Sequence, residues 1–416
     1  IRRPPRSTPK PSSAASDLNK RQQIIEDPNS KNVTFSLLRR DLPSPAVPKD
    51  WTGKGSVPEI LELVEFAKSL DNSYLAIQGP PGTGKTWTGA RIIHHLATVE
   101  KKKVGITAQS HYAIDNLLEE VIKFAEDESL GLPNLYYNKK GKSFDGVKTG
   151  GFKPSEFKQD DSLVMASTTW FWAHKEFNSE ECLFDYLVID EAGQLSLADA
   201  LAASKGAKNI ILLGDPQQLR QVSQASHPSG SGVDSGISIL GHLLGEAPTM
   251  PDDRGVFLDK TWRLDPAICT FISEEFYDDR LKPAESIDRK IENRRNGLFW
   301  IPVPHDDDEP SVDENQKEAK KIAEIIASFM DGSKFIEDGF GRTIGIEDFM
   351  IVAPFNRQRK RIRETLQHDL GIDFSTADSI VGTVDKFQGR QAPVVLYSLT
   401  TSSYDSIPQG LSLIHI

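Results

Sequence analysis

Cysteine is almost absent from this 416-residue chain. Only Cys182 and Cys269 occur, which excludes a disulfide framework and any Cys-rich zinc or iron–sulfur centre. Long apolar runs are missing too. The longest span about five to seven residues, far short of the ~20 that cross a bilayer. No signal-peptide pattern opens the chain, so the expectation is a cytoplasmic protein with no membrane partner. Positive charge is also scarce: 49 Lys and Arg stand against 60 Asp and Glu, a net charge of −11. The whole surface therefore cannot attract nucleic acid, and any such binding needs a local basic groove. What remains is ordinary for a folded protein, with 38% hydrophobic and 26% charged residues. At roughly 150 residues per domain the length suggests about three units, enough for two sizeable cores.

The two ends read unlike a natural gene product. Residues 1–8 and 411–416 resemble translated sequencing adapter and are set aside as artefacts. Residues 1–56, rich in Pro, Ser, Lys and Asp, read as a disordered tail or linker with one short helix near Asp17–Ile25. From 57 to 250, short apolar strands alternate with helical patterns. The strands are Tyr74–Gln78, Val104–Thr107, Leu163–Ala166, Tyr186–Ile189 and Ile210–Leu213; helices are expected from Ile60, over Thr88–Leu96 and over Ala113–Phe124. The polar stretch 126–160 reads as a loop or small insertion. A Gly/Ser/Pro-rich stretch, Ser226–Gly236, and the turn-rich Pro248–Gly255 mark a boundary. Residues 251–410 repeat the pattern, with strands Leu298–Val303, Phe349–Ala353 and Ala392–Ser398 and helices Glu314–Met330 and Asn356–Gln367. Such alternation predicts an α/β fold of two tandem units, each a parallel sheet flanked by helices.

The strongest motif is Gly79-Pro80-Pro81-Gly82-Thr83-Gly84-Lys85-Thr86. It matches G-x-x-x-x-G-K-[ST] and lies between a strand and a helix, where the mechanism needs it. Glycines let backbone N–H groups converge on phosphate oxygens, and the helix N-terminus adds positive potential. Lys85 can reach the terminal phosphates and the Thr86 hydroxyl can ligate Mg²⁺. Asp190-Glu191 follows an apolar strand 105 residues later. Asp190 suits an Mg²⁺-linked acid and Glu191 a base for attacking water; alone, the pair could equally cap the next helix. Gly214-Asp215-Pro216-Gln217-Gln218 follows the next strand. Gln218 can sense a terminal phosphate there, unless this is an ordinary Asp-Pro turn.

The order of motifs is more specific than any one of them, and it resembles the superfamily 1 helicases. The phosphate loop is followed by Ile106 to His111, Asp190 to Gln194, Gly214 to Gln218, Thr261 to Pro266, Ile351 to Asn356 and Gly382 to Gly389. Asp-Glu-Ala-Gly with the Thr-Trp-Arg block is similar to the branch moving 5′→3′, and most of all to the C-terminal motor of bacterial proteins with a RecB-like nuclease upstream. The resemblance implies two RecA-like lobes, 57–250 and 251–410, with ATP and Mg²⁺ as cofactors. It implies a bacterial cytoplasmic, monomeric motor on single-stranded nucleic acid, DNA favoured, with a possible covalently linked nuclease. Residue by residue, it assigns phosphate and Mg²⁺ to Lys85 and Thr86, Mg²⁺ to Asp190 and water activation to Glu191. Gln218 becomes the γ-phosphate sensor, Arg263 an arginine finger, and Gly389 part of the nucleotide site. The chain departs from the family in three places: no adenine-reading glutamine block is recognisable in Val57–Ser73, Arg390-Gln391 replaces a ribose-binding Glu, and the last arginine motif would lie beyond Gly410. Slow ATP hydrolysis by the 416-residue chain is the expectation. An ATP-gated clamp serving a linked nuclease without unwinding shares every nucleotide motif and stays open.

Strand contacts are expected at sheet ends, where hydroxyl and backbone donors suit phosphate. The candidates are Ser110, His111, Thr168, Thr169, Pro354, Phe355, Asn356, Thr383 and Asp385. Asn356 to Arg363 carries five positive charges, either a basic stripe for nucleic acid or a solvated helix face. Phe355 and the Trp170-Phe171-Trp172 group could stack bases or fill a core.

Overall fold

The computed structural model describes residues 32–48, 60–139, 144–159, 161–178, 182–218, 236–285, 288–303, 313–387 and 390–400. The chain divides into two compact units. One holds everything to Asp259 except Pro81–Thr83; the other holds those three residues and everything from Lys260. The change of unit at 259 lies a little beyond the expected boundary at 250.

The first unit is built on α1 (Val33–Arg39), α2 (Ile60–Ser69), β1 (Tyr74–Gln78), α3 (Lys85–Thr98), β2 (Lys103–Thr107), α4 (His111–Asp127), β3 (Leu135–Tyr137), β4 (Val147–Thr149), β5 (Leu163–Ala166), α5 (Thr169–Trp172), β6 (Phe184–Ile189), α6 (Leu197–Ser204), β7 (Ala207–Gly214), α7 (Ile239–Leu244) and β8 (Gly255–Phe257). Its eight strands form one parallel sheet in the order β4-β3-β5-β2-β6-β7-β1-β8. All five residues of β1 and all four of β5 are buried. That is why these strands read as unbroken apolar runs rather than alternating ones: helices cover both faces. Register is plain at the centre, with Tyr74 opposite Ile210 and Ile106 opposite Val188.

Two stretches of this unit carry more structure than expected. The stretch 126–160 is not only a loop, because it contributes β3 and β4 to the sheet edge. Leu135 and Tyr137 are almost fully buried there, but a strand of three residues is too short for periodicity to reveal. The supposed tail is also partly folded. Leu37 of α1 is fully buried, the Thr34 hydroxyl meets that of Ser204 at 2.8 Å, and Arg254 donates to Arg40 O at 2.6 Å. Averaging composition over 56 residues hid the short apolar face of Val33 and Leu37. The expected helix near Asp17–Ile25 lies outside the described residues.

The second unit contains β9 (Lys260–Thr261), α8 (Pro266–Phe276), β10 (Lys282–Pro283), β11 (Arg289–Ile291), α9 (Gln316–Met330), β12 (Lys334–Glu337), β13 (Phe340–Thr343), β14 (Phe349–Val352), α10 (Asn356–Leu370), α11 (Phe374–Ile380), β15 (Val381–Gly382), α12 (Val384–Phe387) and β16 (Val394–Tyr397). Its parallel sheet runs β15-β14-β16, and β11-β12-β13 form a separate antiparallel sheet. Ile322 and Ile326 of α9 and Ile362 and Leu366 of α10 close one core over β14. Leu298–Val303, expected as a strand, is not one. Leu298 and Trp300 are 73% and 77% exposed; an apolar run becomes a strand only where a neighbouring edge completes its hydrogen bonds. No described helix is long and apolar enough to cross a membrane.

Candidate nucleotide site and nucleic-acid interface

The phosphate loop leaves the buried end of β1. Gly79 N–H donates to Gly214 O at 2.9 Å, tying the loop to β7, and Thr88 N–H closes the first turn of α3 on Gly84 O at 2.8 Å. Gly82 and Gly84 have φ of 76° and 83°, in the left-handed region that favours glycine. α3 therefore starts at Lys85, three residues before apolar periodicity alone would start it. Lys85 Nζ donates to Gly79 O at 2.6 Å. Pro81–Thr83 group with the second unit, where Thr261 Oγ1 donates to Pro81 O and Trp262 N–H to Gly82 O, both at 2.8 Å.

The acidic pair stands where β6 ends. Asp190 is 4% exposed, and its N–H is held by Thr107 O of β2 at 2.9 Å. Burial pushes its carboxyl up to about 7, and the charge of Glu191 pushes the same way. The Glu191 N–H and the Lys85 charge oppose them, so Lys85 and Asp190 feel each other electrostatically. Glu191 takes φ 52°, a conformation uncommon outside glycine and typical of constrained sites. Next to it β6 and β7 nearly touch: a Cβ on Gly193 would lie 2.3 Å from Asp215 O.

Asp215 escaped the sequence reading as a site residue. It is buried and accepts from Gln78 Nε2 at 3.2 Å, from Gln217 N–H at 3.2 Å and from Gln218 Nε2 at 3.4 Å. Gln78 also accepts Met250 N–H at 2.6 Å. Two glutamines thus share one buried carboxylate between the ends of β1 and β7, and the carboxylate orients Gln218. A polar residue ending each of two neighbouring buried strands was the available signal.

Lys85, Asp190, Glu191 and Gln218 thus all lie in the first unit, at the ends of the adjacent strands β6, β7 and β1. Arg263 belongs to the second. It is exposed just after β9, and its N–H donates to Thr261 Oγ1 at 3.3 Å. Gly389 lies outside the described residues.

Ser110 accepts Ala113 N–H at 3.2 Å and caps α4. His111 is exposed, and its Nδ1 meets Tyr137 Oη at 2.8 Å. Tyr137 in turn donates to Asp115 Oδ1 at 2.8 Å, and Lys139 Nζ donates to Asp115 Oδ2 at 2.9 Å. With the Tyr137 proton committed to Asp115, Nδ1–H of His111 is the donor. Burial, then the hydrogen bond to Asp115, raises the Tyr137 phenol far above its ordinary range. Thr168 and Thr169 are half-buried beside Trp170, which is 86% exposed, whereas Trp172 is fully buried. In the second unit Pro354, Phe355 and Thr383 are half-buried, Asn356 is exposed, and Asp385 lies on α12. The cationic helix is largely paired: Arg357 with Asp313 at 3.3 Å, Arg361 with Glu314 at 3.2 Å, Lys360 with Glu364 at 3.7 Å, and Arg363 with Asp378. Those pairs favour a solvated helix face over a free basic stripe.

Two family models, both described as AAA domain, match the chain, one over 62–145 and 152–224 and the other over 237–411. The chain is 26% identical over 401 residues to the ATP-dependent helicase NAM7 of Saccharomyces cerevisiae, covering 85% of this chain and 39% of that protein. It is 25% identical over 406 residues to DNA polymerase alpha-associated DNA helicase A of Schizosaccharomyces pombe, covering 82% and 58%. The chain thus spans less than two thirds of either relative. Among solved structures, the arterivirus nonstructural protein 10 helicase with DNA aligns at a TM-score of 0.39 and 14% identity, over 80% of this chain and 62% of that one. On the two domain matches and the ordered motifs, the chain belongs to the superfamily 1 helicases.

Proposed function

We propose that the protein is an ATP-driven motor that moves 5′→3′ along single-stranded nucleic acid, with DNA as the favoured track. The observation that carries it is the convergence of Lys85, Asp190, Glu191 and Gln218 on adjacent strand ends of one parallel sheet. Ligands of such sheets bind beyond the carboxyl ends of the strands. Lys85 and the N–H groups opening α3 would hold the phosphates. The Thr86 hydroxyl and the Asp190 carboxylate are hard oxygen donors that suit Mg²⁺, and a buried carboxylate near neutrality gains from a cation beside it. Bound Mg²⁺ would offset charge on the phosphates. Glu191 would take the proton of the attacking water, and Gln218, oriented by Asp215, would report on the terminal phosphate. Arg263 is the candidate for the further cation that stabilises phosphoryl transfer.

ATP turnover with and without single-stranded DNA, followed by strand displacement on 5′- and 3′-tailed duplexes, tests the reading. Turnover that stays slow in the 416-residue chain but rises with single-stranded DNA, and displacement from the 5′ tail alone, are expected, and Lys85→Ala should abolish turnover while strand binding survives. Normal turnover in that variant, or displacement without ATP, would sink the proposal.

A further inference from the structure

We infer that Trp170 is a platform on which one base of the bound strand stacks, an inference that rests on the motor reading above. Its indole is the most exposed large apolar side chain among the described residues, at 86%. The two rings after it explain why it stays out. Trp172 is fully buried, donates Nε1–H to Ser167 O at 3.3 Å, and packs edge-on against Phe171 and Phe184 at centroid distances of 5.0 and 4.9 Å. Phe171 N–H and Ala173 N–H close the turn on Thr168 O and Thr169 O. The turn is pinned from below, so Trp170 is presented in a fixed place rather than left loose.

That place is the carboxyl end of β5, between β3 and β2. Ala166 pairs with Ile106 on one side and Tyr137 on the other. Beyond these three ends come Thr168 to Trp170, Ser110 to Tyr112, and Asn138 with Lys139. Tyr112 is also 55% exposed. Those strand ends carry the hydroxyls of Ser110, Thr168 and Thr169, the His111 imidazole, the Asn138 amide and the Lys139 ammonium, and the Thr168 side chain caps no helix. A nucleotide finds a π face for its base and donors for its phosphate, and stacking on aromatic rings tolerates any sequence.

The test compares a dT oligonucleotide of about 15 residues with an abasic oligonucleotide of equal length and charge. Fluorescence anisotropy is read with the 416-residue chain and its Trp170→Ala and Trp170→Phe variants. The wild type should prefer dT. Trp170→Ala should bind dT about 5- to 150-fold more weakly and bind the abasic strand as before, with Trp170→Phe between. The surface position keeps folding out of the result, and unchanged circular dichroism confirms it. If Trp170→Ala retains the preference for dT, the stacking role is wrong while the motor reading stands. If the wild type binds neither strand, the nucleic-acid reading itself fails, and the inference with it.

Discussion

Glu191 donates its backbone N–H to the carboxylate of the residue before it, Asp190, at 2.9 Å. This contact works against the burial that raises the carboxyl to about 7. The unfolded chain releases the same proton near pH 4. Between those values the folded protein holds a proton that the unfolded chain has lost. Stability therefore falls as pH rises through that window and levels off above about 7. Asp190→Asn keeps an oxygen for the Glu191 N–H and has no charge to desolvate. Thermal melts from about pH 4 to pH 8 should show a smaller decline for the variant, together with lost ATP turnover. Equal declines in both proteins would refute the assignment.

A methyl group on Gly193 would meet a backbone oxygen, Asp215 O, at 2.3 Å. Backbone cannot swing aside, so Gly193→Ala must push β6 from β7. A loss of about 1–3 kcal/mol in denaturant unfolding is expected, with impaired ATP turnover. Gly151→Ala, where an added Cβ meets nothing within 4 Å, is the control and should change neither.

Tyr137 joins His111 to Asp115 through its hydroxyl. Tyr137→Phe keeps the ring in the core and leaves Lys139 on Asp115. A cost of about 1–2 kcal/mol is expected for the lost hydrogen bonding. Half-saturation of ATP turnover by single-stranded DNA should shift to higher strand concentration at an unchanged maximal rate. A fall in the maximal rate alone would remove His111 from strand binding.

Leu37 is fully buried while its neighbour Leu38 is 39% exposed. Leu37→Ala should lose about 2–5 kcal/mol, and Leu38→Ala no more than about 0.5 kcal/mol. Equal, small effects would return α1 to the status of a dispensable tail.

The nucleotide motifs were legible because each is a contiguous string whose neighbours announce a strand before it and, for the phosphate loop, a helix after it. Lys85, Asp190 and Glu191 needed no coordinates to be named. Asp215 needed them, because its importance lies in Gln78, 137 positions away, donating to the same carboxylate as Gln218. Trp170 and Trp172 show the same limit at short range. Both read as apolar, and only the packing of Phe171, Phe177 and Phe184 decided which was buried.

By itself the sequence determined the α/β class, the parallel central strands and the strand–loop–helix setting of the phosphate-loop motif, since local pattern and backbone demands set these. Tertiary structure decided what depends on contacts between distant segments. It recruited β3 and β4 into the sheet and docked α1 on the first unit. It left Leu298–Val303 without a strand and paired the cations of α10 with carboxylates. A short segment's fate rests on which partner surface reaches it, and one-dimensional spacing does not carry that information.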